Sequence, residues 1–309
     1  MKYELDGQVV LISGGSQGLG CAFAKKYIEE SDSTVVIVSR SEEKLKRAGK
    51  AICGGQGARK LGTAGSTRLL YHACNLADAA AVEGLFAALK EAGLQATQVL
   101  FCAGGAVPGL FAELSSAQLV AGVEMNYGTA LHLAHGAVRH GARHLVFFSS
   151  AAAVYPFIGY GQYAPLKAAL RALVAVLRQE CDGVRVSCVY PGNFASEGYA
   201  EENRTKPAIT AAIEGSSKAI SCAECCDKIV RGLRRGYDDV TTDFEGWLLL
   251  ACNMGFNYHS TTYFLWPLGW LLGALVNLLV VPIYMLICRR EIRKWRTQRQ
   301  ETLLVAKTE

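Results

Sequence analysis

Charge is missing from one long part of this sequence. Between Gly246 and Cys288 there is no aspartate, glutamate, lysine or arginine, 43 residues in a row, and the most apolar part is YFLWPLGWLLGALVNLLVVPIYMLIC (263–288). Such a run excludes an ordinary solvated surface. About 20 apolar residues suffice to cross a bilayer core, so a membrane anchor is expected, with a buried C-terminal helix pair or a dimer interface as the alternative. Over the whole chain 19% of residues are charged and 51% hydrophobic, the balance of a globular body carrying a greasy segment. The net charge of +5 is too small to imply nucleic acid. It is also local, because Arg289, Arg290, Arg293, Lys294, Arg296 and Arg299 crowd the tail. The opening stretch, MKYELDGQVVLISGG, lacks the long apolar core of a signal peptide, so nothing is expected to send the start of the chain into an oxidising lumen. Cysteine is not scarce. Its eleven residues are odd in number and lie mostly in apolar runs, which fits reduced thiols better than a disulfide framework. CAECC (222–226) holds a Cys-x-x-Cys pair but has no second Cys or His pair nearby, so no metal site is expected. There is no internal repeat.

What is present is an alternation of short apolar runs with helix-length segments. VVLIS (9–13), TVVIVS (34–39), LLYHA (69–73), QVLFCA (98–103), HLVFFS (144–149) and VRVSCVY (184–190) read as buried strands. Helical patterns fall between them at about 18–30, 78–91, 117–140 and 161–181. Continuous apolar strands separated by helices imply a parallel sheet covered on both faces. GGQGARKLGTAGST (54–67) is glycine-rich and poorly periodic, and is expected to be a mobile loop before the third strand.

Three local features carry chemistry. SGGSQGLG follows the first strand and opens the first helix, with Gly14, Gly18 and Gly20 in the spacing Gly-x-x-x-Gly-x-Gly. Glycines there permit a tight turn and let backbone approach a pyrophosphate at a helix N-terminus. The second strand ends in Arg40, 20 residues past Gly20, where NAD-binding chains carry an acid for the ribose 2′-hydroxyl. A cation there, with Lys44 one helical turn on, favours the 2′-phosphate of NADP(H). Finally, Tyr163 and Lys167 stand four apart with Pro165 between them. Residues i and i+4 share a helix face, and a proline is tolerated in a first turn, so the pair is expected at a helix entrance facing one site.

Together these residues resemble the short-chain dehydrogenase/reductases over about residues 6–240: the glycine turn, CAGG (102–105), NYG (126–128), FSSAAA (148–153), the Tyr163/Lys167 pair and YPGNFAS (190–196). The resemblance implies an α/β fold, a Rossmann-type doubly wound parallel sheet, with a C-terminal hydrophobic membrane-anchoring segment. It implies that Tyr163 is the catalytic acid/base and Lys167 its partner, whose ammonium is expected to lower the tyrosine's pKa and to hold the nicotinamide ribose. Ser150 matches the serine that hydrogen-bonds the substrate carbonyl, with Ser149 the weaker candidate. Asn126 matches the residue that kinks its helix and supports a proton-relay water. The implied NADPH contacts are Gly14, Ser16, Gln17, Gly18, Gly20, Arg40, Lys44, Asn75, Gly104, Pro191 and Gly192, together with Tyr163 and Lys167. Two departures stand out: Phe101-Cys102 replaces the usual Asn pair, and Asn75 replaces an Asp near the adenine.

One subgroup is matched more closely. GYAEENRTKP (198–207), QYAPLKAAL, CVYPGNFASEGY, DVTTDFEGW and LVVPIYMLICRREIRKW resemble the fungal 3-ketodihydrosphingosine reductases. That resemblance implies reduction of a long-chain amino ketone by NADPH at the endoplasmic reticulum membrane, with the catalytic domain facing the cytosol. The implied division is a reductase domain at 1–243 with a substrate lid at about 191–224, an anchor at 244–288 and a basic cytosolic tail at 289–309. Homo-oligomerisation is left open. Lid residues Glu197, Glu201 and Glu202 either pair with the substrate amine or are solvated loop acids, the second being the preferred reading. The alternatives are a reductase of another membrane ketone (steroid, retinoid or long-chain 3-ketoacyl) and a non-catalytic membrane scaffold; the intact Asn126, Ser150, Tyr163 and Lys167 set argues against the scaffold. Both flanks of the uncharged run are basic: Lys228, Arg231, Arg234 and Arg235 precede it and the tail cations follow. Positive charge marks the cytosolic side, so a hairpin is expected, turning at NYHSTT (257–262) and Pro267.

Overall fold

None of the six apolar runs has an exposed residue once folded, a result that requires a sheet covered on both faces. The computed structural model describes residues 2–55, 57–215, 218–253 and 266–308. Its strands are β1 (Val9–Ser13), β2 (Thr34–Ser39), β3 (Arg59–Lys60), β4 (Leu69–Ala73), β5 (Gln98–Phe101), β6 (His144–Phe148), β7 (Arg185–Tyr190), β8 (Phe194–Ala195), β9 (Ile220–Ser221) and β10 (Asp239–Thr241). Eight of them form one sheet in the order β10-β7-β6-β5-β1-β2-β4-β3, every pairing parallel. β8 and β9 pair separately. The order reverses direction between β1 and β5, which opens a crevice at the carboxyl ends of those strands.

The helices are α1 (Gly18–Glu30), α2 (Glu42–Ile52), α3 (Ala79–Glu91), α4 (Ser116–Val123), α5 (Thr129–Arg139), α6 (Ala164–Glu180), α7 (Glu197–Thr205), α8 (Ala208–Glu214), α9 (Cys222–Arg234), α10 (Phe244–Ala251), α11 (Trp266–Leu279) and α12 (Val281–Thr308). Strand side chains alternate between faces, and the core divides accordingly. Leu11, Val36 and Val38 pack with α3, α5 and α6, through Leu85, Leu133 and Leu170. Val10, Ile12 and Ile37 pack with α1, α2 and α9, through Phe23, Leu45 and Ile229. Each such fully buried side chain contributes roughly 1.5–3 kcal/mol.

Several expectations change on folding. The 54–67 stretch is not featureless, since Arg59 and Lys60 pair with Leu70 and Tyr71 as an edge strand. The single helix read at 117–140 is two helices joined by a π-turn, Glu124–Gly128. β10 escaped the sequence reading because a three-residue strand leaves no periodicity. It is held instead by long-range ion pairs: Arg178 Nη1 to Asp239 Oδ2 at 3.0 Å, and Arg185 Nε to Asp238 Oδ1 at 2.7 Å. All eleven cysteines are free thiols, and Cys225 and Cys226 of the Cys-x-x-Cys stretch are core residues of α9.

Candidate active site

The turn after β1 is shaped by close approach. A β-carbon on Gly20 would lie 2.6 Å from the Gly14 carbonyl oxygen, so only glycine lets α1 start this close to the strand. Gly14 itself has φ of 66° and presses against the backbone of Ala103. Ser13 fixes the same junction, its Oγ accepting from Ala103 N at 3.1 Å and donating to Leu100 O at 3.3 Å. Ser16 lies in this turn, and Gln17, the N-cap of α1, makes no side-chain cap bond, which leaves the first-turn amides to a ligand.

Tyr163 is the N-cap of α6, with Pro165 in the first turn as the sequence implies. The backbone bond from Lys167 N to Tyr163 O, 3.1 Å, closes that turn and sets Lys167 Nζ 5.5 Å from the centre of the Tyr163 ring. Lys167 is buried and donates to Phe148 O at 2.8 Å. Burial lowers its pKa to about 8. The expected effect on tyrosine is reversed: burial raises the Tyr163 pKa, outweighing a hydrogen bond with Ser150 that lowers it, and Glu202 adds to the rise. The phenol therefore holds its proton at neutral pH, the form a reduction requires of its acid. The serines are now separated as well. Ser149 Oγ donates to Lys167 O at 2.8 Å and is buried, whereas Ser150 is the serine whose hydroxyl acts on Tyr163, lowering its pKa against the effect of burial.

Asn126 sits in the π-turn, fully buried. Its Nδ2 donates to Gly105 O at 2.9 Å and Gly122 O at 3.3 Å, and its Oδ1 accepts from Gly105 N at 3.0 Å. It thus ties the loop after β5 to α4. Between them lies Gly104, where a β-carbon would come within 2.9 Å of Asn126 Oδ1 and 3.3 Å of Lys167 Nζ. Asn126, Gly104, Lys167 and Tyr163 are therefore one connected group.

The remaining sequence-derived positions ring the crevice. Arg40 is exposed at the end of β2, just before Ser41, whose side chain caps α2 by accepting from Lys44 N at 3.2 Å. Asn75 is exposed beyond β4 and its Oδ1 accepts from Ala77 N at 3.3 Å. Phe101, the departure at the end of β5, is buried and stacks on Phe147 with ring centres 4.1 Å apart. Pro191 and Gly192 follow β7, and Gly192 N donates to Thr242 Oγ1 at 2.9 Å. Sequence reasoning missed Thr242 and Asp243, which fasten this loop to the start of α10; the Asp243 side chain caps α10 by accepting from Gly246 N at 2.6 Å.

A family described as short chain dehydrogenase matches residues 8–207. The chain belongs to the short-chain dehydrogenase family. It is 89% identical over 309 residues to a curated 3-ketodihydrosphingosine reductase of Eremothecium gossypii, covering 100% of both chains. It is 49% identical over 312 residues to that of Saccharomyces cerevisiae, covering 96% of this chain and 97% of the other. Among solved structures it resembles L-sorbose reductase from Gluconobacter frateurii, complexed with NADPH and L-sorbose, with a TM-score of 0.64 at 22% identity over 79% of this chain and 97% of the other. A short chain dehydrogenase from Burkholderia cenocepacia in complex with NADP gives 0.62 at 22% identity, over 78% and 98%.

Within this short-chain dehydrogenase the segment after β7 is built of α7 and α8, closed at its base by the β8–β9 pair. Its acids divide by environment. Glu197 is exposed, and Glu201 faces solvent beside Arg204 at 2.7 Å. Glu202 is not solvated: it accepts a hydrogen bond from the Tyr160 hydroxyl and pairs with Lys206 at 3.2 Å. α12 lies against α8, where Ile209 and Ile213 pack with Cys288, Ile292 and Trp295. The Tyr284 hydroxyl donates to Ile213 O at 3.3 Å and meets the Tyr155 hydroxyl at 3.4 Å.

Proposed function

We propose that this protein is a membrane-associated reductase that converts 3-ketodihydrosphingosine to dihydrosphingosine (sphinganine) with NADPH. The substrate assignment is carried by the 89% identity to a curated 3-ketodihydrosphingosine reductase across all 309 residues. The residues present fit a dinucleotide. Gly104 leaves open a space that any β-carbon would fill, the N-terminus of α1 has no side-chain cap, and Lys167 is a buried cation beside both Gly104 and Tyr163. Gly14, Ser16, Gln17, Gly18 and Gly20 would take the pyrophosphate, Arg40 and Lys44 the 2′-phosphate, Asn75 the adenine side, and Lys167 with Pro191 and Gly192 the nicotinamide end.

When bound, the dihydronicotinamide supplies a hydride to the carbonyl carbon. The chain's own residues handle the oxygen. Tyr163, kept protonated by burial, gives its proton to the oxygen as negative charge develops there. Ser150, whose hydroxyl acts on the same phenol, orients the same oxygen. Lys167, 5.5 Å from the Tyr163 ring, would hold the nicotinamide ribose, and Asn126 holds the loop that carries Gly104.

The proposed location is the endoplasmic reticulum membrane, with the domain at 1–243 in the cytosol, an anchor within 244–288 and a basic tail at 289–309. Exposed Leu268, Trp270, Leu271, Leu275, Leu278 and Ile283 on α11 and α12 support this, because soluble surfaces rarely gather so many large apolar groups. Among the described residues no single helix is long and apolar enough to cross a membrane, but the pair α11 and α12, bent by 47°, has the length and composition to do so. The deciding assay offers purified protein NADPH or NADH with 3-ketodihydrosphingosine, a steroid ketone, a retinoid and a 3-ketoacyl chain. Fastest turnover of 3-ketodihydrosphingosine with NADPH, giving sphinganine mole for mole, is expected. Faster turnover of any other ketone would overturn the assignment.

A further inference from the structure

The charges beneath the lid do not balance. Lys206, with its side chain 4% exposed, pairs with Glu202 at 3.2 Å and also with Glu214; those two are 16% and 17% exposed. Two carboxylates and one ammonium leave one negative charge without a partner in a largely buried place, an arrangement that favours admission of a second cation. Two neutral groups also bond the pair: the Tyr160 hydroxyl donates to Glu202, and Asn193 Nδ2 donates to Glu214 Oε1 at 3.1 Å. The cluster adjoins the chemistry, since the ring of Tyr160 lies 5.8 Å from that of Tyr163.

An independent sign of a missing ligand lies on the same face of α8. Thr210, one turn before Glu214, is fully buried, and its Oγ1 has no hydrogen-bond partner among the described residues. It rests against the residue preceding Tyr160, for a β-carbon on Gly159 would lie 1.9 Å from that oxygen. Buried hydroxyls are nearly always paired, so this orphan one turn from Glu214 marks a hydrogen bond that the described residues do not supply.

We propose that Glu202 and Glu214 form a subsite for the ammonium that the substrate carries on the carbon next to its reacting carbonyl, with Lys206 as the resident cation that neutralises half of the pair. The inference rests on the amino-ketone reading above and adds the residues that select it. Burial alone would lower the pKa of Lys206, but Glu214 and Glu202 outweigh it and raise it, so Lys206 stays charged at neutral pH and the deficit of one cation persists. A neutral ketone gains nothing from the carboxylates and must still desolvate them, which is how a built polar site rejects an analogue that lacks the group.

The test is a selectivity ratio: kcat/KM for 3-ketodihydrosphingosine over kcat/KM for the same chain without the amine, in one neutral detergent. Glu202→Gln should lower that ratio about 10-fold or more, mainly through KM of the amino ketone, as expected for loss of a hydrogen bond to a charged group. A ratio within about 2-fold of wild type means that Glu202 only shapes the lid, and the subsite is wrong. Should the variant not fold, the wild type decides by product inhibition. Sphinganine should inhibit about 10-fold more tightly than the amine-free 1,3-diol, and equal inhibition overturns the subsite. Wild-type protein that reduces the neutral ketone but not the amino ketone would instead refute the function.

Discussion

Tyr163 and Lys167 were legible as a pair because four residues along a helix is a fixed spacing; their protonation was not. Burial, which no spacing reveals, leaves Tyr163 protonated and Lys167 titrating near 8. Tyr163→Phe keeps the ring and removes the proton, so kcat should fall by roughly 10²–10⁴-fold while NADPH still binds; a variant keeping half the wild-type rate would refute the acid assignment. The Lys167 shift also makes a stability prediction. Between pH about 8 and 10.5 the unfolded chain keeps a proton that the native site gives up. At this group the unfolded state then binds more protons, so the Lys167 contribution to the stability of the nucleotide-free protein rises with pH through that window, by about 3 kcal/mol in total. In urea unfolding at a series of pH values, the stability of wild type relative to Lys167→Met should rise through that window, over the fall that both share from buried thiols such as Cys188. Parallel profiles would mean that Lys167 is not desolvated.

At the scale of elements, helix periodicity across 117–140 marks an apolar stripe but cannot show that the hydrogen-bond ladder slips at Glu124–Gly128. The slip is stabilised from outside the helix, by the bonds of Asn126 to Gly105, 21 residues away. Asn126→Ala leaves those Gly105 groups without partners and should cost about 1–3 kcal/mol. It should also weaken NADPH binding, because the loop bearing Gly104 is no longer tied down. An unfolding midpoint equal to wild type, measured in urea, would show that the π-turn holds itself. The lid gives a second case. GYAEENRTKP reads as a solvated acidic loop, yet folding separates Glu201 in water from Glu202 beside Lys206, one residue on.

For the whole molecule the question is how the proposed anchor would meet a bilayer. The stretch 257–262, expected to hold the turn of a hairpin, lies outside the described residues. Pro267 is the second residue of α11, and the residues before Trp266 lie outside the described ones too. Among the described residues a break falls between α11 and α12, at 47°. The cations Lys228, Arg231, Arg234 and Arg235, read as the flank of an anchor, belong to α9 and its C-cap, whose buried face packs with α1 in the core. Same-side topology gains support from elsewhere, because Ile292 and Trp295 of α12 pack against the lid and Arg299 pairs with Glu113 of the catalytic body. An epitope placed after Glu309 should therefore be cut by protease in sealed microsomes together with the catalytic domain. A tag protected until detergent is added would establish a single crossing and refute the hairpin or re-entrant arrangement.

The sequence alone determined whatever depends on neighbours a few residues apart. The six long strands, the glycine turn, the helix entrance at Tyr163 and the uncharged C-terminal run are all of this kind, since backbone geometry imposes periods of two and 3.6 residues and glycine fits where a β-carbon cannot. Tertiary structure decided what depends on partners far along the chain. The edge strand β10 is held by Arg178 and Arg185, more than 50 residues before it. Ser150 was separated from Ser149 by the Lys167 carbonyl, 18 residues on. Lys206 acquired its second carboxylate only when α8 folded back upon α7. Burial and charge balance are properties of the assembled surroundings, and no local pattern of residue types encodes them.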